Sequence, residues 1–252
     1  MSDADVSIGV AGALGPAAIA RIAEAVEAAG LHALWVNDTP GGDALAALDA
    51  AAAATSGLTL ATGVLALDRR PAREIAARVR DLPQERVVLG VGSGATRRGA
   101  LDLVREGVAV LRAATTARVM VGALGPRMRA LAAEEADGPL LSWLTPALAA
   151  EQTAAARTAG ASASLYVRTA LDPAATERLA AEAARYGSFP AYAANFSRLG
   201  IAAEDTVLAP GTFADGIRAY RTAADEVVLR AIVAGDEVDA YVRFVEDAAT
   251  RV

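Results

Sequence analysis

The pattern that most constrains the fold is an alternation, along all 252 residues, of short apolar runs with Ala-rich segments of helical periodicity. Nearly continuous apolar runs are typical of parallel strands that are covered by helices on both faces. Eight strand–helix units in a chain of this length predict an α/β fold, the (β/α)₈ barrel. The eight runs are DVSIGVAG, ALWVND, LTLATGVLAL, RVVLGVGSG, RVMVGAL, PLLSWL, SLYVRTAL and EVVLRAIV.

One interval breaks the regular spacing of the units. Residues 172–225, between the seventh and eighth runs, contain at least three helical segments. They predict a helical insertion that forms a subdomain or a dimer surface beside the barrel mouth. A doubly wound open sheet is the alternative fold, but it would usually have fewer strands and a glycine-rich turn after the first one. We expect residues 1–252 to form a single barrel domain.

Proline and glycine mark the predicted helix boundaries, because proline suits the first helical turn and glycine suits the end of a helix. The apolar stretch 44–67 changes its period and contains polar residues. It therefore predicts a helix followed by a strand rather than a membrane span. The prolines near helix starts are Pro16, Pro71, Pro126 and Pro146, and the glycines near helix ends are Gly30, Gly57, Gly138 and Gly160.

The composition excludes several kinds of chemistry. The chain has no cysteine and no lysine, so it has no thiol nucleophile, thiolate metal site or Schiff-base lysine. Its one histidine, His32, precedes the second strand, at the end of a barrel away from the site, and we predict no metal site. The formal charge of −6 argues against a nucleic-acid partner. The N-terminus MSDADVSIGV lacks the basic segment of a secretory signal, so we expect a cytoplasmic protein.

Sites in barrels of this type lie at the carboxyl ends of the strands, and two loops there suit a phosphate group. After the fifth strand, GALGPRMR begins a helix at Pro126, which leaves the preceding amides free for an anion beside Arg127 or Arg129. After the fourth strand, GVGSGATRRG combines three glycines with the hydroxyl of Ser93. The alternative for each loop is an ordinary strand–helix turn.

Other strand ends carry residues that can be interpreted in two ways. Arg168 lies within an apolar strand, so it either faces an anionic ligand at the mouth or pairs with a barrel carboxylate. Asn37 and Asp38 end the second strand and either contact a ligand or cap the next turn. Gly63 marks a bulge or close ligand approach in the third strand, or else tight packing. Trp143 is placed to form one wall of a ring-binding slot.

Six blocks of the chain resemble, in order, blocks of the luciferase-like flavin-dependent oxidoreductases. They are LHALWVND, TSGLTLATGVLALDRRP, RVVLGVGSG, ALGPRMRALAAEEADGPLLSWLTP, LYVRTAL and FPAYAANFSRLG. The nearest branch is the actinobacterial proteins that use the deazaflavin coenzyme F420 and are related to methylene-tetrahydromethanopterin reductase. The resemblance implies a (β/α)₈ barrel that is often dimeric, and we expect a homodimer.

The resemblance also implies where a cofactor would bind. The isoalloxazine-type ring would lie at the barrel mouth, supported by a non-prolyl cis peptide bulge at about Gly63–Val64. The cofactor phosphate would lie on the loop 123–127, with further contacts from the loop after the fourth strand. The residues predicted to contact the cofactor are Asn37, Asp38, Thr62, Gly63, Val64, Ser93, Gly94, Ala123, Leu124, Gly125, Pro126, Arg127, Trp143 and Arg168.

The chain departs from the dehydrogenases of this family where they carry acid–base residues. Thr39 stands where a histidine commonly follows the aspartate after the second strand, and a tryptophan a few residues later has no counterpart. Ala95 stands where a glutamate follows the glycines of the fourth strand. Leu124 replaces the first glycine of the phosphate loop, and the phosphate-binding lysine of some members is absent. The chain therefore keeps more of the family's cofactor-binding residues than of its acid–base residues, and no catalytic residue is assigned.

Together these features predict an oxidoreductase that transfers hydride between coenzyme F420 and a small organic substrate. An FMN-dependent luciferase-like monooxygenase or reductase is the first alternative, since FMN also needs a phosphate site. The second alternative is a non-catalytic member of the family that binds a cofactor or another ligand. The missing histidine and glutamate are the reason to keep that alternative open.

Overall fold

The computed structural model describes residues 3–252, and these form a closed barrel of eight parallel strands in chain order. Each strand pairs with the next, and the first pairs with the last to close the barrel. The predicted (β/α)₈ fold is therefore confirmed, and each apolar run coincides with one strand. The strands are β1 (Asp5–Ala11), β2 (Ala33–Asn37), β3 (Thr59–Ala66), β4 (Val87–Gly92), β5 (Arg118–Gly122), β6 (Gly138–Ser142), β7 (Ser164–Thr169) and β8 (Glu226–Ala231).

Helices surround this barrel, and the described residues contain ten α-helices. One helix follows each of the strands β1 to β6 and β8, whereas three lie between β7 and β8, where the sequence predicts extra helical segments. The helices are α1 (Pro16–Ala28), α2 (Ala44–Ala54), α3 (Ala72–Arg78), α4 (Ala100–Ala114), α5 (Pro126–Glu135), α6 (Pro146–Thr158), α7 (Thr176–Ser188), α8 (Pro190–Leu199), α9 (Phe213–Arg221) and α10 (Val238–Ala249).

The helix boundaries follow the predicted prolines more closely than the predicted glycines. Proline begins α1, α5 and α6, and Pro71 immediately precedes α3. Gly30 and Gly160 follow α1 and α6 with positive φ, and Gly57 lies beyond the end of α2. The prediction for Gly138 is wrong, because this residue begins β6, with φ of +142°, where neighbouring backbone occupies the space of a Cβ.

The barrel interior is filled with side chains. A cluster of buried residues from β2 to β8 fills its middle layer, and Trp35, Met120, Tyr166 and Val228 belong to it. The rings of Trp35 and Tyr166 meet edge to face, with centroids 5.9 Å apart. A larger apolar cluster packs the outer faces of the strands against the helices. Within residues 3–252, no helix is both long enough and apolar enough to cross a membrane.

A polar network closes the amino-terminal end of the barrel. The buried carboxylate of Glu226, at the start of β8, accepts hydrogen bonds from Ser7 Oγ at 2.5 Å, Trp35 Nε1 at 2.6 Å and Ser164 Oγ at 2.6 Å. The donors belong to β1, β2 and β7. Since buried polar groups are stabilising when they are paired, the network joins four strands at the end opposite the predicted site.

Candidate functional site

The carboxyl ends of the strands bring two chemically different sets of residues to the barrel mouth. Side chains alternate along a strand, so the register of the interior cluster identifies the inward-facing position nearest the mouth on each strand. On β3, β4 and β5 these positions are glycines, Gly63, Gly92 and Gly122. On the other strands they are Ala11, Asn37, Ser142, Arg168 and Arg230.

Val64 forms a small apolar platform over the glycine side of the mouth. The Gly63–Val64 peptide is cis and the pairing of β3 with β4 shifts its register here, so β3 has the bulge that the resemblance implies. Cβ atoms built on Gly92 and Gly122 would each lie 3.0 Å from a methyl carbon of Val64. Glycine at both positions therefore makes the room in which the Val64 side chain lies, and we call this arrangement the Val64 platform.

Asn37 and Tyr166 lie beside the bulge with unused hydrogen-bonding capacity. The side-chain amide of Asn37 donates to the carbonyl oxygen of Gly63, and a Cβ on Gly63 would lie 2.9 Å from Cζ of Tyr166. Asn37 Oδ1 and the Tyr166 hydroxyl form no hydrogen bond of standard geometry in the part of the chain that the structure describes, although Asn37 lies near enough to the phenol to oppose the rise of its pKa. Burial raises the pKa of the Tyr166 phenol well above its usual value, so this hydroxyl keeps its proton.

The amino-terminal end of α5 is open. Gly125 precedes this helix, and no side chain among the described residues caps its first amides. A Cβ built on Gly125 would meet no atom of residues 3–252 within 4 Å. Arg129 donates to the carbonyl oxygen of Leu124 at 2.7 Å, and both burial and the charge of Arg198 lower the pKa of Arg129. Uncapped amides beside two neighbouring guanidinium groups form an environment that suits an anion.

The loop after β4 is held by a residue that the sequence interpretation missed, Asp68. Its carboxylate accepts a hydrogen bond from the Ala95 amide at 2.8 Å and fills the space that a Cβ on Gly94 would need. Gly94 has φ of +62°, a conformation that favours glycine. Ser93 is half-buried at the start of this loop. Asp68 lies 27 residues before Ala95, so no local pattern indicated this contact.

Asp38 and Thr62 are both engaged by the protein itself. The side chain of Asp38 is 6% exposed and lies 3.1 Å from Nη2 of Arg69, which also donates to the Asp38 carbonyl oxygen at 3.0 Å. The hydroxyl of Thr62 is fully buried and donates to the carbonyl oxygen of Gly90 at 3.0 Å. Asp38 therefore links the loops after β2 and β3, and Thr62 links β3 to β4.

Arg168, at the end of β7, is 7% exposed and enclosed by aromatic and acidic side chains. Its Nη1 donates to Ser142 Oγ at 2.5 Å, and its Nε lies 3.5 Å from a carboxylate oxygen of Glu182. The guanidinium carbon lies 4.1 Å from the ring centroid of Trp143 and 4.8 Å from that of Tyr186. Arg168 thus has a carboxylate partner, but the partner comes from α7 and not from a barrel strand.

Trp143 lies deeper than a wall of an open slot would. It is 1% exposed and packs against Tyr186 and Phe196 of the helices between β7 and β8. The remaining predicted residues stand around the start of α5: Ala123 is buried, and Pro126 and Arg127 are exposed. The described residues contain no group of three or more histidine, aspartate or glutamate side chains that could hold a metal ion.

Comparison with known proteins supports this architecture at two levels. By sequence, residues 4–99 match the model of the luciferase-like monooxygenase family. A comparison with curated proteins gave no match. By structure, the whole chain aligns with solved barrels of low sequence identity, and likeness at such identities shows the fold.

Three of these structures illustrate the likeness. An F420-dependent secondary alcohol dehydrogenase, solved with an F420–acetone adduct, aligns with a TM-score of 0.78 at 16% identity over 100% of both chains. The coenzyme F420-dependent tetrahydromethanopterin reductase of Methanopyrus kandleri gives 0.74 at 16% identity, over 100% of this chain and 99% of that one. The oxygenating constituent of 3,6-diketocamphane monooxygenase from Pseudomonas putida, in complex with FMN, gives 0.68 at 13% identity over 98% of both.

The predicted resemblance is thereby confirmed: residues 4–99 match the luciferase-like monooxygenase family, and the whole length of the chain has the barrel fold of these F420- and FMN-dependent structures.

Proposed function

We propose that the protein is an oxidoreductase that binds coenzyme F420 at the barrel mouth and transfers hydride between it and a small organic substrate. The observation that carries the proposal is the Val64 platform, which offers a flat ring an apolar support at the end of the barrel where sites of this fold lie. We place F420 before FMN because the six sequence blocks quoted above resemble the F420-using branch, while the fold is shared with both F420- and FMN-dependent structures.

The residues at the mouth fit such a cofactor at both of its ends. Asn37 Oδ1 is a buried acceptor without a partner in the described chain, which suits the N–H edge of an isoalloxazine-type ring. The uncapped amides of α5 suit a phosphate group, and Arg127 and Arg129 are placed in the first turn of that helix. Gly125 leaves the space in front of those amides open.

When bound, the deazaflavin would supply the hydride chemistry, and the chain would supply binding and orientation. Val64 would support one face of the ring, and Asn37 would hold its edge while fixing the carbonyl of Gly63. The first amides of α5 and the nearby arginines would fix the phosphate tail. The phenol of Tyr166 would stay neutral below the mouth. This division of roles needs no acid–base residue at Thr39 or Ala95.

The test is a fluorescence titration of the purified protein with F420 and, separately, with FMN. We expect F420 to bind with a dissociation constant well below roughly one millimolar. Binding of FMN without binding of F420 would replace this proposal with the FMN-dependent monooxygenase or reductase. If neither cofactor binds below that concentration, the oxidoreductase proposal fails and the non-catalytic alternative stands.

A Gly125→Asp variant tests the proposed position of the phosphate tail at the start of α5. Because Gly125 has an ordinary φ of −89° and open space around its Cα, the substitution leaves the fold intact and strengthens the helix cap. Its carboxylate would compete with a phosphate for the amides of α5, so we expect F420 affinity to fall by about tenfold. Gly125→Asn caps the same amides without a charge and is the matched control, with a smaller loss. Unchanged affinity in the aspartate variant would refute this placement of the tail.

A further inference from the structure

We infer that the barrel mouth contains a second subsite, on the side away from α5, in which Arg230 binds the carboxylate of a small organic acid with an apolar body. The anion site stands on its own geometry. Its assignment as the substrate subsite, which would make the substrate a small monoanionic acid, depends on the proposed oxidoreductase function.

A cavity of about 430 Å³ lies at this side of the mouth, between the ends of β8 and β1 and the helices α7 and α10. In the order of the barrel, β8 and β1 lie across from β4 and β5, so the cavity is opposite the loops that suit a phosphate. Its volume is within the range of small-molecule sites. Ala11, Leu14 and Ile232 give it apolar walls, and Arg178, Glu182, Arg230 and Asp236 give it charged ones.

Of the charged side chains that line this cavity, only Arg230 has no ion-pair partner among the described residues. Arg178 is paired with Asp236 at 2.7 Å, and Glu182 lies 3.5 Å from Arg168. Arg230 donates to the carbonyl oxygen of its neighbour Ala231 at 2.6 Å. No carboxylate of residues 3–252 forms an ion pair with Arg230. A half-buried guanidinium without an anionic partner is a costly group to keep, unless a ligand supplies the negative charge.

Arg168, at the same level of the barrel, has partners that Arg230 lacks. The two residues are direct partners in the ladder between β7 and β8, and both face inward. Arg168 has the hydroxyl of Ser142, the carboxylate of Glu182 and two aromatic faces around it. Arg230, one strand away, opens instead onto the cavity. The difference identifies Arg230 as the arginine that is free to bind a ligand.

One phenol, that of Tyr241, lines the cavity beside Arg230, and a second, that of Tyr166, is buried outside the cavity lining. The positive charge of Arg230 reaches both Tyr241 and Tyr166, where it opposes the effect of burial, which raises the pKa of each phenol. Both hydroxyls therefore remain protonated near the guanidinium. One guanidinium without a carboxylate partner, beside a phenol and apolar walls, suits a single carboxylate on an apolar body better than a dianion or a sugar.

The test is isothermal titration calorimetry of the cofactor-free protein with trans-cinnamate and with its neutral amide, trans-cinnamamide. We expect the wild type to bind cinnamate at least about tenfold more tightly than the amide. Arg230→Gln should weaken cinnamate binding by about tenfold to a hundredfold, as expected for a charge-assisted hydrogen bond. Arg230→Lys should restore most of the affinity because it keeps the charge. Arg157→Gln, which removes an arginine paired with Asp225 at 2.7 Å outside this cavity, is the matched control and should change the affinity by less than about threefold.

Three results would overturn the inference: equal binding of acid and amide, unchanged cinnamate affinity in Arg230→Gln, or no cinnamate binding up to roughly ten millimolar. Thermal unfolding of each variant checks its fold, and if Arg230→Gln does not fold, loss of binding in a folded Arg230→Lys variant also overturns it. The F420 titration is read separately. Failure of F420 binding with intact cinnamate binding would remove the F420 proposal and leave the anion site. F420 binding without cinnamate binding would leave the F420 proposal and remove the anion site.

Discussion

The two ends of the barrel differ in whether their buried polar groups have hydrogen-bond partners. At the amino-terminal end, the carboxylate of Glu226 accepts hydrogen bonds from three donors on three other strands. At the mouth, polar atoms are buried without a hydrogen-bond partner in the described chain. These atoms are Asn37 Oδ1, Trp143 Nε1 and the Tyr166 hydroxyl, and Arg168 Nε also lacks a hydrogen bond although it lies 3.5 Å from Glu182. One further such atom, Thr153 Oγ1, belongs to the outer helix α6.

Pairing is the rule for buried polar groups in folded proteins, so a concentration of unpaired ones is informative. The contrast agrees with the general division of this fold, in which the amino-terminal end of the barrel serves stability and sites lie at the carboxyl ends of the strands. Substitutions at the closed end should therefore lower the free energy of unfolding more than substitutions at the mouth do.

Breaking the network at the closed end should have the largest effect. Glu226→Ala leaves the donors of Ser7, Trp35 and Ser164 without their acceptor, and we expect the free energy of unfolding to fall by about 3–5 kcal/mol. Equilibrium unfolding in urea measures this loss. Glu134→Ala removes an exposed carboxylate of α5 and is the control, with an expected change within about 0.5 kcal/mol. A loss no larger than that of the control would contradict a stabilising role for the network.

A second comparison uses two hydroxyls of β7 that lie two residues apart. Ser164→Ala removes a donor to Glu226, so the free energy of unfolding should fall by about 1–2 kcal/mol. Tyr166→Phe removes a hydroxyl that lacks a partner within residues 3–252, so stability should stay within about 0.5 kcal/mol of the wild type. The same urea measurement compares them. An equal loss of unfolding free energy in both variants would mean that hydroxyls at the two ends of the barrel contribute equally to stability.

The smallest effect concerns the charges around the cavity at the mouth. Glu182→Gln removes a negative charge near Arg230, and we expect cinnamate to bind about threefold more tightly, since partly solvated charges interact weakly. Calorimetry at low ionic strength measures the change. Glu177→Gln, at an exposed position of the same helix, should leave the affinity as it is. Weaker binding in the Glu182 variant would indicate that Arg168 moves when its partner is lost.

The strands and the position of the mouth could be predicted from the sequence because they depend on local patterns. Apolar runs, period changes and the glycine in β3 are each visible within about ten residues. Arg230 was missed although the same argument applies to it: it lies in EVVLRAIV as Arg168 lies in SLYVRTAL, a charge near the carboxyl end of an apolar strand.

The partners of the polar residues could not be predicted, because they depend on how distant elements pack. Whether Arg168 faces a ligand or a carboxylate depends on α7, which brings Glu182 to it. The sequence allowed Asp38 to contact a ligand, but its carboxylate forms an ion pair with Arg69 of the next loop. No single-strand pattern encodes the rotation of a helix or the path of a loop, so these outcomes required the fold.

The network around Glu226 has a consequence for how the chain reaches its native state. Glu226 and Ser7 are separated by 219 residues, and β8 is the last strand in chain order. Contacts between such distant residues form slowly because a long loop must close first. During synthesis, Ser7, Trp35 and Ser164 leave the ribosome before their common acceptor does. The network around Glu226 therefore cannot be completed until the last strand, β8, is in place.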